Sequence, residues 1–133
     1  MKLLRLSSAL LLVSALVFSS CKSKNAKELV ANKWTLTELG GDGAKDMTAD
    51  EKQSMVGKVK MELTKDGKVS ISGMGDEAKT GTYTVSADGK TLSLKRDGEE
   101  KADDHEINEV SASKLVITEM KKDGMKLSFA AEK

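Results

Sequence analysis

The chain has 133 residues, of which 32% are charged, with 22 lysines and arginines against 21 aspartates and glutamates. Such balanced, interspersed charge argues against a nucleic-acid-binding protein, which carries a basic face. The single histidine, the single cysteine and the lack of a nucleophile motif or a phosphate-binding glycine loop argue against an enzyme. We therefore expect a non-enzymatic protein with no cofactor and no nucleic-acid partner.

The first twenty residues have the layout of an export signal. Lys2 and Arg5 precede an apolar run at residues 6–18, and two serines come directly before Cys21. This order of basic, apolar and small-residue regions is typical of a secretory signal peptide. The run is too short, and too interrupted by serine, to cross a bilayer. Residues 1–20 are predicted to be a removable leader.

Cys21 is predicted to be the acylated first residue of a mature lipoprotein. The motif Phe18-Ser19-Ser20-Cys21 resembles the lipobox, in which small residues lead into a cysteine that is lipidated before cleavage. Because Cys21 is the only cysteine, the chain has no internal disulfide, and acylation would remove a reactive thiol in an oxidising compartment. Several acyl chains on one residue anchor stably, whereas one chain is marginal. An ordinary secretory signal with an incidental cysteine is the alternative.

Residues 21–28 are predicted to be a lipidated tether, because the residues after Cys21 are polar and basic. By resemblance to Gram-negative lipoproteins, Lys22 in place of an aspartate favours the outer membrane. Lysines instead of acidic residues in the tether favour its periplasmic face. We expect the lipid bilayer to be the partner of Cys21 and the protein to be a monomer.

The rest of the chain is predicted to be all-β. Apolar and polar residues alternate with period two, which indicates strands with one buried face. Asp-Gly pairs between them predict type I′ hairpins, so that neighbouring strands are antiparallel. Eight strands are predicted, at residues 33–39, 58–64, 68–73, 80–85, 91–95, 105–110, 114–119 and 125–130. The simplest closed arrangement is an antiparallel meander forming a small barrel, and a two-sheet sandwich is the alternative.

One short helix is predicted near residues 48–56, between the first and second strands. Thr48-Ala49-Asp50-Glu51 fits a capping box, in which the threonine hydroxyl and the glutamate carboxylate bond free backbone amides at a helix start. In a barrel, this segment could lie across one mouth as a lid.

The segment from Leu29 to Leu36, a short turn leading into a strand that carries Trp34, resembles the opening of the lipocalin-like domain of bacterial lipoproteins. Residues 80–94 and 106–117 have the same character. The resemblance implies a lipocalin-like β-barrel domain at residues 29–133.

The interior of such a barrel is the candidate ligand site. An eight-stranded barrel is just wide enough to fill itself with side chains or to hold one small ligand. The residues expected to line the interior are Trp34, Leu36, Met61, Ile71, Tyr83, Leu94, Ile117 and Phe129.

The cluster Asp103-Asp104-His105-Glu106 could in principle bind a divalent ion. Adjacent residues on a strand point to opposite sides, however, and one histidine rarely makes a zinc site. We expect a solvated acidic loop and no metal.

Two functions remain open. The first is an envelope lipoprotein whose barrel binds a small apolar molecule or serves envelope maintenance. The second is an interaction or inhibitor module that docks an envelope partner through barrel loops or an edge strand. An apolar cavity open at one end favours the first, and a solid core with an exposed apolar patch favours the second.

Overall fold

The computed structural model describes residues 25–75 and 77–132. The predicted leader, Cys21 and residues 22–24 of the predicted tether lie outside the described residues. Within the described ranges, none of the helices has the length and apolar character needed to span a membrane.

Eight antiparallel strands form a closed barrel in sequential order. Each strand pairs with its neighbours in sequence, and the first pairs with the last, which closes the sheet. This confirms the predicted all-β meander and shows that the sandwich alternative is wrong. The strands are β1 (Lys33–Gly41), β2 (Lys60–Leu63), β3 (Lys68–Ser72), β4 (Lys79–Val85), β5 (Thr91–Arg96), β6 (Asp103–Val110), β7 (Lys114–Glu119) and β8 (Met125–Ala131).

The predicted helix between β1 and β2 is present as α2 (Ala49–Met55), the second helix in chain order. Its capping box is also present. The Glu51 amide donates to the Thr48 hydroxyl at 3.1 Å, and the Thr48 amide donates to the Glu51 carboxylate at 2.7 Å. A short 3₁₀ turn (Asp42–Ala44) links β1 to this helix.

A helix that the sequence did not predict, α1 (Ala26–Val30), occupies the last part of the predicted tether. The Glu28 amide donates to the Asn25 side chain at 3.0 Å, which caps the helix start. Val30 is fully buried, and the indole Nε1 of Trp34 donates to its carbonyl at 2.9 Å. Because α1 also packs against β4 and β6, it plugs one end of the barrel. We call this the closed end. The opposite end, where β3 is followed by residues 73–75 and β5 is connected to β6 by residues 97–102, is the mouth.

Two β-bulges interrupt the alternation. The pairing register shifts between Leu36 and Glu38 on β1, and between Ile107 and Glu109 on β6. Each bulge adds one residue to its strand. The next side chain that faces inward therefore comes three residues after the previous one, instead of two. Leu39 is therefore buried although it lies three positions after Leu36.

The hairpin turns differ from the predicted type I′ geometry. Gly67, Gly89 and Gly98 have positive φ, as expected, but the aspartates before them do not, and a type I′ turn requires both. In the first of these turns, the Thr64 hydroxyl donates to the Asp66 carboxylate. The aspartate thus contributes its side chain to the turn, and only the glycine supplies the left-handed backbone.

Gly81 on β4 lies too close to β5 to accept a side chain. A methyl group at Gly81 would meet the carbonyl oxygen of Lys95 and approach the Cα of Arg96 to 2.8 Å. We expect Gly81→Ala to lower the free energy of unfolding by about 1–3 kcal/mol, because the strands must separate to relieve the clash. Gly40→Ala is the matched control, since a methyl group at Gly40 has nothing within 4 Å. Denaturant unfolding of both variants checks this, and equal stability would contradict it.

Trp34→Phe tests the plug at the closed end. Removing the indole N–H leaves the buried Val30 carbonyl without its donor, so we expect a loss of about 1–3 kcal/mol and faster hydrogen exchange at the amides of α1. Tyr83→Phe is the control, because the tyrosine hydroxyl donates to the Thr64 carbonyl at 2.5 Å. That carbonyl also accepts from the Gly67 amide and stays paired. Unchanged exchange of α1 in Trp34→Phe would contradict the plug.

Candidate functional site

An apolar pocket of about 160 Å³ occupies the half of the barrel interior nearest the mouth. Five of the eight predicted interior residues border it, and these are Met61, Ile71, Leu94, Ile117 and Phe129. They come from β2, β3, β5, β7 and β8 and point inward through the period-two alternation of each strand. The remaining lining residues are Val59, Met74, Lys79, Arg96, Asp103, His105 and Leu127.

The other three predicted interior residues, Trp34, Leu36 and Tyr83, are buried but do not border the pocket. Trp34 is held by its bond to α1. Burial, with a smaller contribution from the Asp66 carboxylate, raises the pKa of the Tyr83 hydroxyl, so this group stays protonated as a hydrogen-bond donor. The closed half of the barrel is therefore filled by side chains, and the free space lies in the other half.

His105 is the one charged or polar residue that is buried in the described part of the chain, with 7% of its surface exposed. It lies near the start of β6 and points inward, two residues before Ile107. Its Nδ1 lies 3.1 Å from the backbone carbonyl oxygen of Asp103. Among the described residues, the other ring nitrogen, Nε2, has no hydrogen-bond partner.

Charged side chains are confined to the rim of the pocket. The Nη2 atom of Arg96 lies 3.0 Å from a Glu99 carboxylate oxygen and 3.4 Å from one of Asp103. Lys79 also borders the mouth, and Met74 covers part of it with 55% of its surface exposed. The rim is thus polar and partly ion-paired, whereas the walls below it are apolar.

A second ion pair lies beside the mouth, at the end of β7. The Lys121 ammonium is 2.5 Å from the Glu119 carboxylate. The hydrogen bond and charge of Glu119 raise the pKa of this ammonium. Glu119 is the register partner of His105 across β6 and β7, so the carboxylate that faces the histidine across the strands is already engaged by a lysine.

Helix α2 does not lie over the pocket, contrary to the expectation of a lid. None of residues 49–55 lines the pocket, and none is buried. The residues that follow α2 instead pair with β1. The Gly57 amide donates to the Leu36 carbonyl at 2.7 Å, and the Leu36 amide donates to the Val59 carbonyl at 2.9 Å. The mouth is bordered by residues 74 and 79, by the end of β5 and by the start of β6.

The acidic cluster on β6 divides between the two faces of the sheet. His105 faces inward, whereas Asp104 and Glu106 are exposed. Asp104 accepts a hydrogen bond from the Ser93 hydroxyl at 2.6 Å on the outer face. Within residues 25–75 and 77–132, no group of three or more histidine, cysteine, aspartate or glutamate side chains is arranged to hold a metal ion.

Sequence reasoning missed three lining residues that matter here, Val59, His105 and Leu127. All three had a signal in the same alternation, because Val59 shares a face with Met61, Leu127 with Phe129, and His105 with Ile107. The acidic neighbours of His105 suggest a solvated loop, whereas strand periodicity places His105 on the inward face. Its inward direction could have been predicted from the spacing alone.

Comparison with known proteins supports the fold and no more. No protein-family model matches the chain, and no curated protein does. Among solved structures, an uncharacterized protein from Bacteroides eggerthii has a TM-score of 0.58 at 14% identity, covering 77% of this chain and 98% of that one. A lipocalin-like protein from Bacteroides uniformis has a TM-score of 0.57 at 18% identity, with the same coverage. The described chain therefore has the lipocalin-like fold.

Proposed function

We propose that this lipocalin-like barrel binds one small apolar molecule in the pocket at its mouth. The observation that carries the proposal is the apolar pocket, open at one end, in a barrel whose other half is filled by side chains. Water in such a pocket finds few polar partners, so an apolar molecule that displaces it gains affinity.

The pocket volume limits the size of the ligand. Sites for drug-sized molecules measure about 300–1,000 Å³, whereas this pocket measures about 160 Å³. An engineered apolar cavity of about 150 Å³ in another protein binds benzene. We therefore expect a ligand whose buried part is about the size of one benzene ring.

We propose further that acylated Cys21 holds the protein at the outer membrane, on its periplasmic face. The support is the sequence of the leader and tether, together with the position of Asn25 at the closed end of the barrel. Four residue steps separate Cys21 from Asn25, and a chain of that length reaches at most about 14 Å. The closed end would thus face the bilayer, and the mouth would face the aqueous compartment.

Docking of an envelope protein at the mouth is a second candidate function. Among residues 25–75 and 77–132, the two large apolar side chains that are exposed, Met74 and Met120, both lie at the mouth end of the barrel. Flexible methionines are common at adaptable binding surfaces. The pocket favours the small molecule over this candidate, because a docking surface does not require free space inside the barrel.

Filling the pocket tests the binding proposal. Toluene should bind the purified protein at one site, and Ile71→Phe should weaken that binding about tenfold or more, since the larger side chain occupies the space of the ligand. Ile107→Phe is the matched control, because Ile107 is also half-buried against the core but does not border the pocket. Calorimetry or ligand-observed NMR measures both. Failure of both toluene and phenol, which are similar in size, to bind the native protein would overturn the proposed function.

Cys21→Ala tests the anchor. We expect this variant to move from the membrane fraction to the soluble periplasmic fraction, because the thioether-linked acyl chains cannot form. Ser23→Ala, two residues further on, should leave membrane association unchanged. Fractionation with immunoblotting, and the intact mass of the native protein, measure the outcome. Persistent membrane association of Cys21→Ala would contradict the anchor.

A further inference from the structure

We propose that the pocket selects a small neutral molecule that carries one hydrogen-bond donor, such as a phenol or an alcohol, and that Nε2 of His105 accepts this hydrogen bond. The inference rests on the proposed ligand-binding function and names the chemical class of the ligand.

The tautomer of His105 follows from its backbone contact. The Asp103 carbonyl oxygen can only accept a hydrogen bond, so the 3.1 Å contact requires the proton on Nδ1. In the neutral imidazole, the other nitrogen then carries a lone pair and acts as an acceptor. In the neutral ring, the backbone of β6 thereby makes Nε2 the acceptor.

Nε2 reaches the pocket. In the described part of the chain, no buried side-chain nitrogen or oxygen atom lacks a hydrogen-bond partner. Because Nε2 has no partner there, it must retain access to free space, and His105 itself borders the pocket. His105 is 93% buried, borders the pocket and has one ring nitrogen without a protein partner, and a ligand donor would satisfy that nitrogen.

The rim holds two cations, Lys79 and Arg96, together with the carboxylate of Asp103. Arg96, the nearest guanidinium, already contacts the carboxylates of Glu99 and Asp103. A ligand carboxylate at this position would compete with two protein carboxylates and would lie beside Asp103. In addition, Nε2 of the neutral tautomer repels a second acceptor. The rim and the histidine together therefore favour a neutral donor over an acid.

Three probes of similar size separate these possibilities. Phenol carries a donor, toluene has none, and benzoate carries an anionic acceptor. Their dissociation constants are measured on the purified full chain at one fixed pH. His105 is the only histidine in the chain, so its ring signals in the NMR spectrum report the contact without ambiguity. The fluorescence of Trp34, at the closed end, reports folding in every variant.

We expect phenol to bind more tightly than toluene, and His105→Phe to reduce that preference about tenfold. His105→Gln, which keeps an acceptor oxygen, should restore part of it and covers the case in which His105→Phe does not fold. The control Lys95→Gln, at an exposed position that does not line the pocket, should leave the preference unchanged.

The failures are distinguishable. Equal binding of phenol and toluene, or a preference that survives in His105→Phe, would overturn the role of His105 while leaving the apolar site intact. Tightest binding of benzoate, lost in Arg96→Gln, would assign the pocket to an anion and overturn the inference. Failure of all three probes to bind would remove the proposed function itself.

Discussion

The hydrogen bond from the Trp34 indole to the Val30 carbonyl is the interaction on which the asymmetry of this barrel depends. Both residues are fully buried, and the donor and acceptor lie 2.9 Å apart. An indole N–H that is buried needs a partner, and the last carbonyl of a helix needs a donor. Each group satisfies the other, which fixes α1 across one end of the barrel. With that end filled, free space inside the barrel remains only toward the mouth.

Local patterns predicted the strands well. β7, for example, begins and ends where the alternation and its flanking turns placed it, at residues 114–119. This success has a physical reason, since a strand with one wet face must alternate, and a tight turn needs glycine at a left-handed position. The turn type was wrong, and in two of the turns a hydroxyl two residues before the aspartate, on Thr64 and on Ser86, donates a hydrogen bond to the aspartate side chain. That contact is visible in the sequence only once the turn is already known.

Helix α1 could not be predicted from local sequence, because five residues do not form a stable helix in water on their own. Its stability comes from the buried Val30 and from the tryptophan that follows. The division of the interior is beyond the sequence for a similar reason. Periodicity predicts that Leu36 and Ile71 both face inward. Only Ile71 borders the pocket, because the plug fills the closed half of the barrel and the strands are staggered. The bulges on β1 and β6 also shift the inward-facing positions by one residue, which a strict period of two does not predict.

The polarity of the barrel connects the proposed anchor with the proposed ligand. A tether that leaves from the closed end would turn the mouth away from the bilayer, so a ligand would enter from the aqueous phase and not directly from the lipid. A long acyl chain is poorly suited to that route and also exceeds a pocket of about 160 Å³. A small molecule with one apolar ring or short branched chain and one hydroxyl dissolves in water, fits the pocket and gives His105 a donor. The size of the pocket, the direction of entry that the proposed anchor implies and the acceptor proposed for His105 all favour the same class of molecule.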